Sequence, residues 1–272
     1  MSSITTQNIY DDPAFFERYS KYARSQLGLD GAPEWPALRR MVDNVQGLRV
    51  LDLGCGYGWF CRWARDNGAT GVHGIDVSEK MLARAHDFDK ELGPAGSTSD
   101  SITYQRADLD RVHLPSPNAF DFVYSSLVFH YLADLPRLMD EVRHTLAPGG
   151  RFVFSVEHPI NTAPTRGAFW RRADNGAAYD PEDQTVPPTP AIWQLDAYCR
   201  EGLRETRWLV DDVRKYHRTL ETYLSLLRAR GLELTDLVEF APPDDVVEAN
   251  PRWEVHRERP LFLLIAARKK AE

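Results

Sequence analysis

The sequence predicts an α/β protein in which a mainly parallel sheet carries helices on both faces. Three observations predict it. From about residue 48 to residue 157, short apolar runs alternate with amphipathic helical runs, the rhythm of strand–helix–strand units. The first apolar run ends in the glycine-rich stretch Gly54-Cys55-Gly56-Tyr57-Gly58, and a helical pattern opens directly after it. The run Phe120 to Ser125 is apolar without alternation, as expected of a strand covered on both faces.

Taken in order, residues 13 to 28 mix Phe15, Phe16, Tyr19 and Tyr22 with charges and read as a helix packed on a surface. Residues 36 to 46 read as a second helix, with Leu38, Met41, Val42 and Val45 on one face. Leu48 to Leu53 is the first strand, followed by a helix from Trp59 to Asn67 that Gly68 stops. Gly71 to Asp76 is the second strand, and Ser78 caps a helix reaching about His86. Residues 93 to 101 are a Gly/Ser/Thr/Asp-rich loop before a third strand, Ile102 to Arg106. Phe120 to Ser125 is the fourth strand. Asp134 caps a helix from Leu135 to Leu146 with Pro136 in its first turn, and Pro148-Gly149-Gly150 turns into a fifth strand, Arg151 to Val156.

Residues 158 to 200 break this rhythm with six prolines and the interleaved aromatics Trp170, Tyr179, Trp193 and Tyr198. So long a stretch inside a compact domain points to a functional segment. Residues 203 to 217 read as a strand pair and Thr219 to Arg230 as a helix stopped by Gly231. Leu232 to Phe240 and Pro260 to Ala267 read as two last strands. The chain thus divides into an N-terminal helical cap (1–46), a core (47–157), an insertion or lid (158–212) and a C-terminal part that completes the sheet (213–272).

Composition narrows the class. The 272 residues are 43% hydrophobic and 27% charged, ordinary for a soluble domain with a full core. The net charge of -7 and pI near 5.7 argue against nucleic acid or an anionic membrane surface as the partner. Cys55, Cys61 and Cys199 fit neither a disulfide framework nor a metal motif, which suits a reducing compartment. Residues 1 to 10 lack the apolar run of a signal peptide, and the longest apolar run, Leu261 to Ala267, is too short to span a bilayer. The expectation is a cytoplasmic protein, monomer or homodimer. No histidine–carboxylate cluster has metal-ligand spacing, so no metal is expected.

The chemistry is concentrated at the strand tips, where ligands of such sheets bind. Glycines at 54, 56 and 58 permit unusual backbone angles and a close approach of ligand to main chain. The spacing is not that of a dinucleotide loop, whose third glycine would fall where Trp59 stands. Asp52, immediately before the glycines, would repel a pyrophosphate but attract an ammonium. Asp76 ends the second strand, where an acid accepts hydrogen bonds from ribose hydroxyls. Each acid alone also reads as an ordinary strand-end residue; together they suit a nucleoside that carries an amino acid.

Four motifs make a resemblance plain: Val50-Leu51-Asp52-Leu53-Gly54-Cys55-Gly56-Tyr57-Gly58, Gly74-Ile75-Asp76-Val77-Ser78-Glu79-Lys80-Met81-Leu82, Ala107-Asp108-Leu109 and Leu146-Ala147-Pro148-Gly149-Gly150. Over residues 48 to 157 the chain resembles the class I S-adenosylmethionine-dependent methyltransferases, in particular the small-molecule group called type 11. The resemblance implies a Rossmann-like, doubly wound sheet of seven strands, mostly parallel, in the order 3-2-1-4-5-7-6 with the last strand antiparallel. It implies S-adenosyl-L-methionine as cofactor. Gly54, Cys55, Gly56 and Gly58 would line its methionine part and Asp52 would help to hold it. Asp76 would bind the ribose, Val77 and Met81 would flank the adenine, and Asp108 with the Leu109 amide would read the adenine edge. Ser125 or its neighbour Ser126 would sit beside the sulfonium.

The acceptor end carries no transferable motif. Glu157 and His158 follow the fifth strand and His130 follows the fourth; these are the candidate catalytic residues, needed as a base only if the acceptor carries a proton. Each also reads as a packing residue, as does the pair Tyr216-His217. The aromatics of the N-terminal and 158–200 segments are candidate walls for an apolar acceptor. The expected function is O- or N-methylation of a small molecule in specialised metabolism. The competing readings are a nicotinamide-dependent oxidoreductase and a binder of S-adenosylmethionine without turnover.

Overall fold

A computed structural model describes residues 6–92, 102–165, 170–172, 191–193 and 195–271. The helices and strands are α1 (Pro13–Tyr19), α2 (Ala23–Gln26), α3 (Trp35–Val42), β1 (Arg49–Leu53), α4 (Trp59–Asp66), β2 (Gly71–Asp76), α5 (Glu79–Leu92), β3 (Ile102–Arg106), β4 (Phe120–Ser126), α6 (Leu135–Thr145), β5 (Leu146–Glu157), α7 (Pro159–Thr162), β6 (Trp170–Arg172), β7 (Ala191–Trp193), β8 (Gly202–Trp208), β9 (Val210–His217), α8 (Leu220–Ala229), β10 (Leu232–Phe240), α9 (Asp244–Ala249) and β11 (Phe262–Lys269).

Seven strands form one sheet in the order β10-β11-β5-β4-β1-β2-β3. The five from β3 to β5 run parallel, and β11 is antiparallel to both β5 and β10. Counting only these seven strands gives the expected 3-2-1-4-5-7-6. The chain reverses on either side of β1, so the tips of β1 and β4 open the crevice in which the site lies.

Alternation builds two cores from single strands. Leu51, Leu53, Phe152, Phe154, Val156, Leu263 and Ile265 face α6 and α8, meeting Leu135, Leu138, Val142, Tyr223 and Leu227. Their neighbours Val50, Val153, Leu264 and Ala266 face the other way, with Leu38, Val42, Phe60 and Cys61 of α3 and α4. Covered on both faces, these strands have little use for polar residues, so Asp52, only 2% exposed, stands out.

Departures from the expected elements have local causes. The N-terminal helix is broken into α1 and α2 because Tyr22 adopts an extended conformation, φ -67° and ψ 148°. Its ring lies by Tyr19 and Trp208, a tertiary contact that helical periodicity does not reveal. Helix α3 stops at Asp43, which takes a positive φ of 54°. Helix α5 runs six residues past His86, because its last turns are charged rather than apolar and are held by Arg84–Glu91 and Lys90–Asp87 pairs. Pro148-Gly149-Gly150 lies within β5 as an irregularity where the register against β4 shifts, rather than before the strand.

The boundary drawn at residue 212 falls inside β9, so the β8–β9 hairpin divides badly there: its strands pair from Gly202–His217 to Trp208–Val210. The loop 93–101 and most of 166–194 lie outside the described residues. Within the latter, β6 and β7 pair antiparallel, Trp170 opposite Trp193. Among the described residues no helix is long and apolar enough to cross a membrane, and no group of three His, Cys, Asp or Glu side chains is arranged to hold a metal.

Candidate cofactor and acceptor site

The glycine loop leaves β1 with Gly54, Gly56 and Gly58 all at positive φ (78°, 53° and 71°). The three glycines serve different ends. A Cβ on Gly54 would lie 2.2 Å from Val128 Cγ2, and one on Gly58 2.3 Å from the Tyr104 hydroxyl. A Cβ on Gly56 would meet nothing within 4 Å. Gly54 and Gly58 thus let the protein close on itself, whereas Gly56 presents bare backbone to open space.

A cavity of about 110 Å³ lies against this loop, lined by Asp52, Gly54, Gly56, Tyr124 and Ser126 from the sheet and by Tyr19, Arg24 and Glu34 from the N-terminal segment. The Asp52 carboxylate accepts one hydrogen bond, from the Cys61 thiol at 3.3 Å. Burial pushes its pKa up to about 7, against the smaller opposing effect of that bond. Among the described residues only this thiol serves the buried carboxylate, which suits it to a cationic ligand group.

Asp76 organises the next part of the crevice. Its Oδ2 accepts from the Gly56 amide and its Oδ1 from the Ser78 amide, both at 2.9 Å. Burial raises its pKa to about 6, opposed by these two bonds. Asp76 therefore pins the glycine loop to the start of α5. Met81 is 3% exposed on α5, and Val77 is half-buried beside it.

The N-terminal segment covers this end. Asp11 accepts from the Ser78 hydroxyl at 2.6 Å and from the Glu79 and Lys80 amides, capping α5 from outside. Asn8 donates to the Val77 carbonyl at 3.4 Å. The Thr6 hydroxyl lies 2.9 and 2.8 Å from the two Asp108 carboxylate oxygens, so a hydroxyl already addresses the carboxylate expected to read an adenine amino group. Leu109 is buried, and its carbonyl accepts from Arg137 at 2.6 Å.

Two expectations need correction. Ser125 is fully buried and donates to the Leu53 carbonyl at 2.7 Å, so its hydroxyl ties β4 to β1. Its neighbour Ser126 lines the cavity instead, because successive strand residues face opposite ways. His158 is also turned away from the crevice. It caps α7, its Nδ1 accepting from the Ile160 amide at 3.2 Å, and its Nε2 lies 2.9 Å from Glu239 of β10. Burial lowers its pKa, against the pull of Glu239. The adjacent Glu157 and His158 thus serve different places.

Glu157, at the end of β5, keeps 22% of its side chain exposed. Lys215 of β9 donates to its Oε1 at 2.6 Å, and His130 Nε2 stands 3.9 Å from the same oxygen. Burial alone would raise the Glu157 pKa, but the charge and hydrogen bond of Lys215 outweigh it and hold the carboxyl below its ordinary value. Burial drives His130 down to about 4, so its ring is neutral. Its Nδ1 accepts from the Glu157 amide at 3.3 Å, which assigns the ring proton to Nε2. That N–H faces the Glu157 carboxylate from 3.9 Å, too far for a hydrogen bond. Tyr131 and Tyr10 bring their hydroxyls within 3.5 Å of each other beside this group. Trp208 places its ring 5.0 Å from Lys215 Nζ and packs against Phe15, Tyr19 and Tyr22. His217 is core, between Thr162 and the Tyr198 carbonyl.

Sequence reasoning missed Arg24, Glu34, Lys215 and Trp208. No motif marks them: they come from the N-terminal segment and the β8–β9 hairpin and meet the sheet only in the folded chain. The one available signal was the aromatic density of residues 10 to 22.

The fold and the paired acids define a class, an α/β protein with a doubly wound sheet and a glycine loop flanked by the buried acids of β1 and β2. Comparison with known proteins makes the class specific. The methyltransferase domain family matches residues 51–154. An S-adenosylmethionine-dependent methyltransferase from Mesorhizobium loti of known structure is 47% identical, with 89% of this chain and 100% of that chain covered and a TM-score of 0.74. The malonyl-[acyl-carrier protein] O-methyltransferase of Serratia marcescens is 34% identical over 197 residues, 71% of each chain. The 27-O-demethylrifamycin SV methyltransferase of Amycolatopsis mediterranei is 28% identical over 244 residues, 85% of this chain and 74% of its own. The chain belongs to the S-adenosylmethionine-dependent methyltransferases, and S-adenosyl-L-methionine is its cofactor. The nicotinamide-dependent reading is set aside by that membership.

Proposed function

We propose that this methyltransferase transfers its methyl group to an oxygen or nitrogen of a small-molecule acceptor seated between the Glu157–Lys215–His130 group and the aromatic side chains of Tyr10, Tyr19, Tyr131 and Trp208. The observation that carries the reading is the partly exposed carboxylate of Glu157 (22% of its side chain) at the end of β5, held ionised by the buried Lys215 ammonium at 2.6 Å. Such a carboxylate accepts a proton or a hydrogen bond from an acceptor X–H, and the aromatic walls favour a planar or apolar body. The Serratia relative is named a malonyl-[acyl-carrier protein] O-methyltransferase and the Amycolatopsis relative a 27-O-demethylrifamycin SV methyltransferase, and both names support an oxygen acceptor.

When bound, S-adenosyl-L-methionine supplies a methyl carbon already activated by the sulfonium. The protein's part is position and exclusion of water. Asp52 holds the ammonium end, Asp76 the ribose and Asp108 the adenine amino group, with Val77 and Met81 beside the base. Glu157 orients the acceptor and takes its proton, Lys215 keeps Glu157 charged, and His130 holds the Glu157 backbone amide through its Nδ1.

Tritiated S-adenosylmethionine with panels of phenols, carboxylic acids and amines tests this. Transfer to at least one acceptor is expected, and Glu157→Gln should lower turnover by about 100-fold or more, the usual contribution of a positioned base. Full turnover in Glu157→Gln would remove it from the chemistry. Tight cofactor binding with no transfer to any acceptor would favour the silent binder.

A further inference from the structure

Two tyrosine hydroxyls meet where the cofactor end of the crevice adjoins the acceptor end. Tyr10 belongs to the N-terminal segment and stands between Asn8, which donates to the Val77 carbonyl, and Asp11, which caps α5. Tyr131 follows His130, whose Nδ1 accepts from the Glu157 amide at 3.3 Å. The two hydroxyls lie 3.5 Å apart, the limit of a hydrogen bond, and among the described residues neither makes any other. Both residues are half-buried.

The hydrogen bonding of this pair is incomplete. Two hydroxyls carry two protons, and only one proton fits in the contact between them. The other has no acceptor among the described residues. Packing holds the rings in place: Tyr10 lies edge-on to Phe15 at 4.9 Å and to Tyr19 at 5.1 Å, and Tyr131 lies against the His130 ring at 4.4 Å. Burial pushes both phenols well above their ordinary pKa, and Tyr10 and Glu157 push Tyr131 further, so both keep their protons. An unused donor among aromatic walls is satisfied by an oxygen of the ligand seated there. That donor belongs to the acceptor side, because Tyr131 shares a single helical turn with His130 and feels the Glu157 charge.

We propose that Tyr131 donates to an oxygen of the methyl acceptor beside the atom that is methylated, with Tyr10 as the positioning residue that donates to the Tyr131 oxygen and fixes its direction. The substrate class is then a planar acceptor with polar groups on two neighbouring atoms: the O–H or N–H that meets Glu157, and an oxygen that accepts from Tyr131. The inference rests on the acceptor reading above and narrows it. Two contacts fix the direction of the attacking lone pair, whereas a molecule with one polar group turns freely in the chamber.

Methyl transfer from tritiated S-adenosylmethionine is measured on two pairs of probes, phenol against catechol and aniline against 2-aminophenol. Wild type should favour the second member of at least one pair by about tenfold in kcat/KM, the range for a hydrogen bond that is otherwise left unmade. Tyr131→Phe keeps the ring and should bring the two members to within about twofold of each other. Tyr10→Phe should cut the preference several-fold without removing it, because Tyr131 keeps its proton and loses its fixed direction. S-adenosylhomocysteine affinity, read by calorimetry, should stay within about twofold of wild type in Tyr131→Phe, which shows that the variant folds. Equal rates within both pairs in wild type, transfer to none of the probes, or a preference that survives Tyr131→Phe would overturn the proposal. So would a loss of S-adenosylhomocysteine affinity of about tenfold in Tyr131→Phe, which would give the hydroxyl to the cofactor. A preference unchanged in Tyr10→Phe would overturn the role of Tyr10. Full turnover of the favoured probe in Glu157→Gln would instead sink the acceptor reading itself.

Discussion

Replacing Asp52 by asparagine separates what the protein needs from what the cofactor needs. Burial lifts the Asp52 pKa from 3.8 to about 7. In the unfolded chain the carboxyl ionises near its ordinary value; in the folded, ligand-free protein it keeps its proton until about pH 7. Below pH 4 both states are protonated and the group does not affect folding. As pH rises from 4 to 7 the unfolded state alone loses the proton, so stability falls. Above pH 7 the loss levels off at of order 4 kcal/mol, roughly three pH units at 1.36 kcal/mol each. Asparagine has nearly the same shape and no charge, so the variant should recover much of this at pH 8 and little at pH 4. A gain of about 2 to 4 kcal/mol corresponds to a rise of several degrees in melting temperature for a chain of this size. The cofactor works in the opposite direction, because an ammonium beside Asp52 requires the carboxylate. In wild type about one tenth of Asp52 is ionised at pH 6 and nine tenths at pH 8, so S-adenosylhomocysteine should bind roughly tenfold more tightly at the higher pH. At pH 7 binding should release about half a proton, read by calorimetry in buffers of different ionisation enthalpy. Asp52→Asn should bind the ligand about 10- to 100-fold more weakly at pH 8 and show little of this pH dependence. A variant no more stable than wild type at pH 8, together with wild-type binding that is flat from pH 6 to 8, would refute the placement of Asp52 as a buried carboxyl awaiting a cation.

Three further outcomes follow from the same geometry. Asp76→Ala strips the Gly56 and Ser78 amides of their acceptor as well as removing the ribose contact, so S-adenosylhomocysteine affinity should fall about 100-fold or more and stability by about 2 kcal/mol; calorimetry and denaturant melts measure the two, and wild-type affinity would remove Asp76 from the site. Gly54→Ala forces a Cβ to within 2.2 Å of Val128 at a φ of 78°, so the variant should lose about 2 kcal/mol or more of stability, whereas Gly56→Ala should fold with a smaller loss, its cost being the positive φ alone, and fail mainly in binding; equal melting midpoints for the two would contradict the separate roles of these glycines. His158→Gln should lower stability by about 1 kcal/mol through the lost cap and Glu239 contact and leave methyl transfer unchanged; a large drop in turnover at wild-type stability would return His158 to the chemistry.

The parts of this protein legible in its sequence are those fixed by local rules. Strand–helix alternation sets a parallel sheet, because parallel strands need crossovers and crossovers of this length are helices. The order Asp52, glycine loop, Asp76, Asp108 is local too: each acid follows the end of a strand, and strand ends of one sheet gather at one edge. The failures arise where a side chain's direction or a distant partner decides. One residue of offset separates Ser125 from Ser126, and the end of a strand separates Glu157 from His158; strand periodicity sends such neighbours to opposite sides, and pattern alone does not say which side is the crevice.

The sequence by itself determined the core strands, the glycine loop and the acids at the strand ends, since each is marked by a local pattern of a few residues. Only the tertiary structure decided which groups complete the site. Arg24 and Glu34 arrive from the N-terminal segment, and Lys215 and Trp208 from a hairpin beyond β5. They meet Asp52 and Glu157 across separations of tens of residues. Their charges acquire meaning through burial, which turns an ordinary aspartate into one that titrates near pH 7 and an ordinary lysine into the partner that keeps Glu157 ionised.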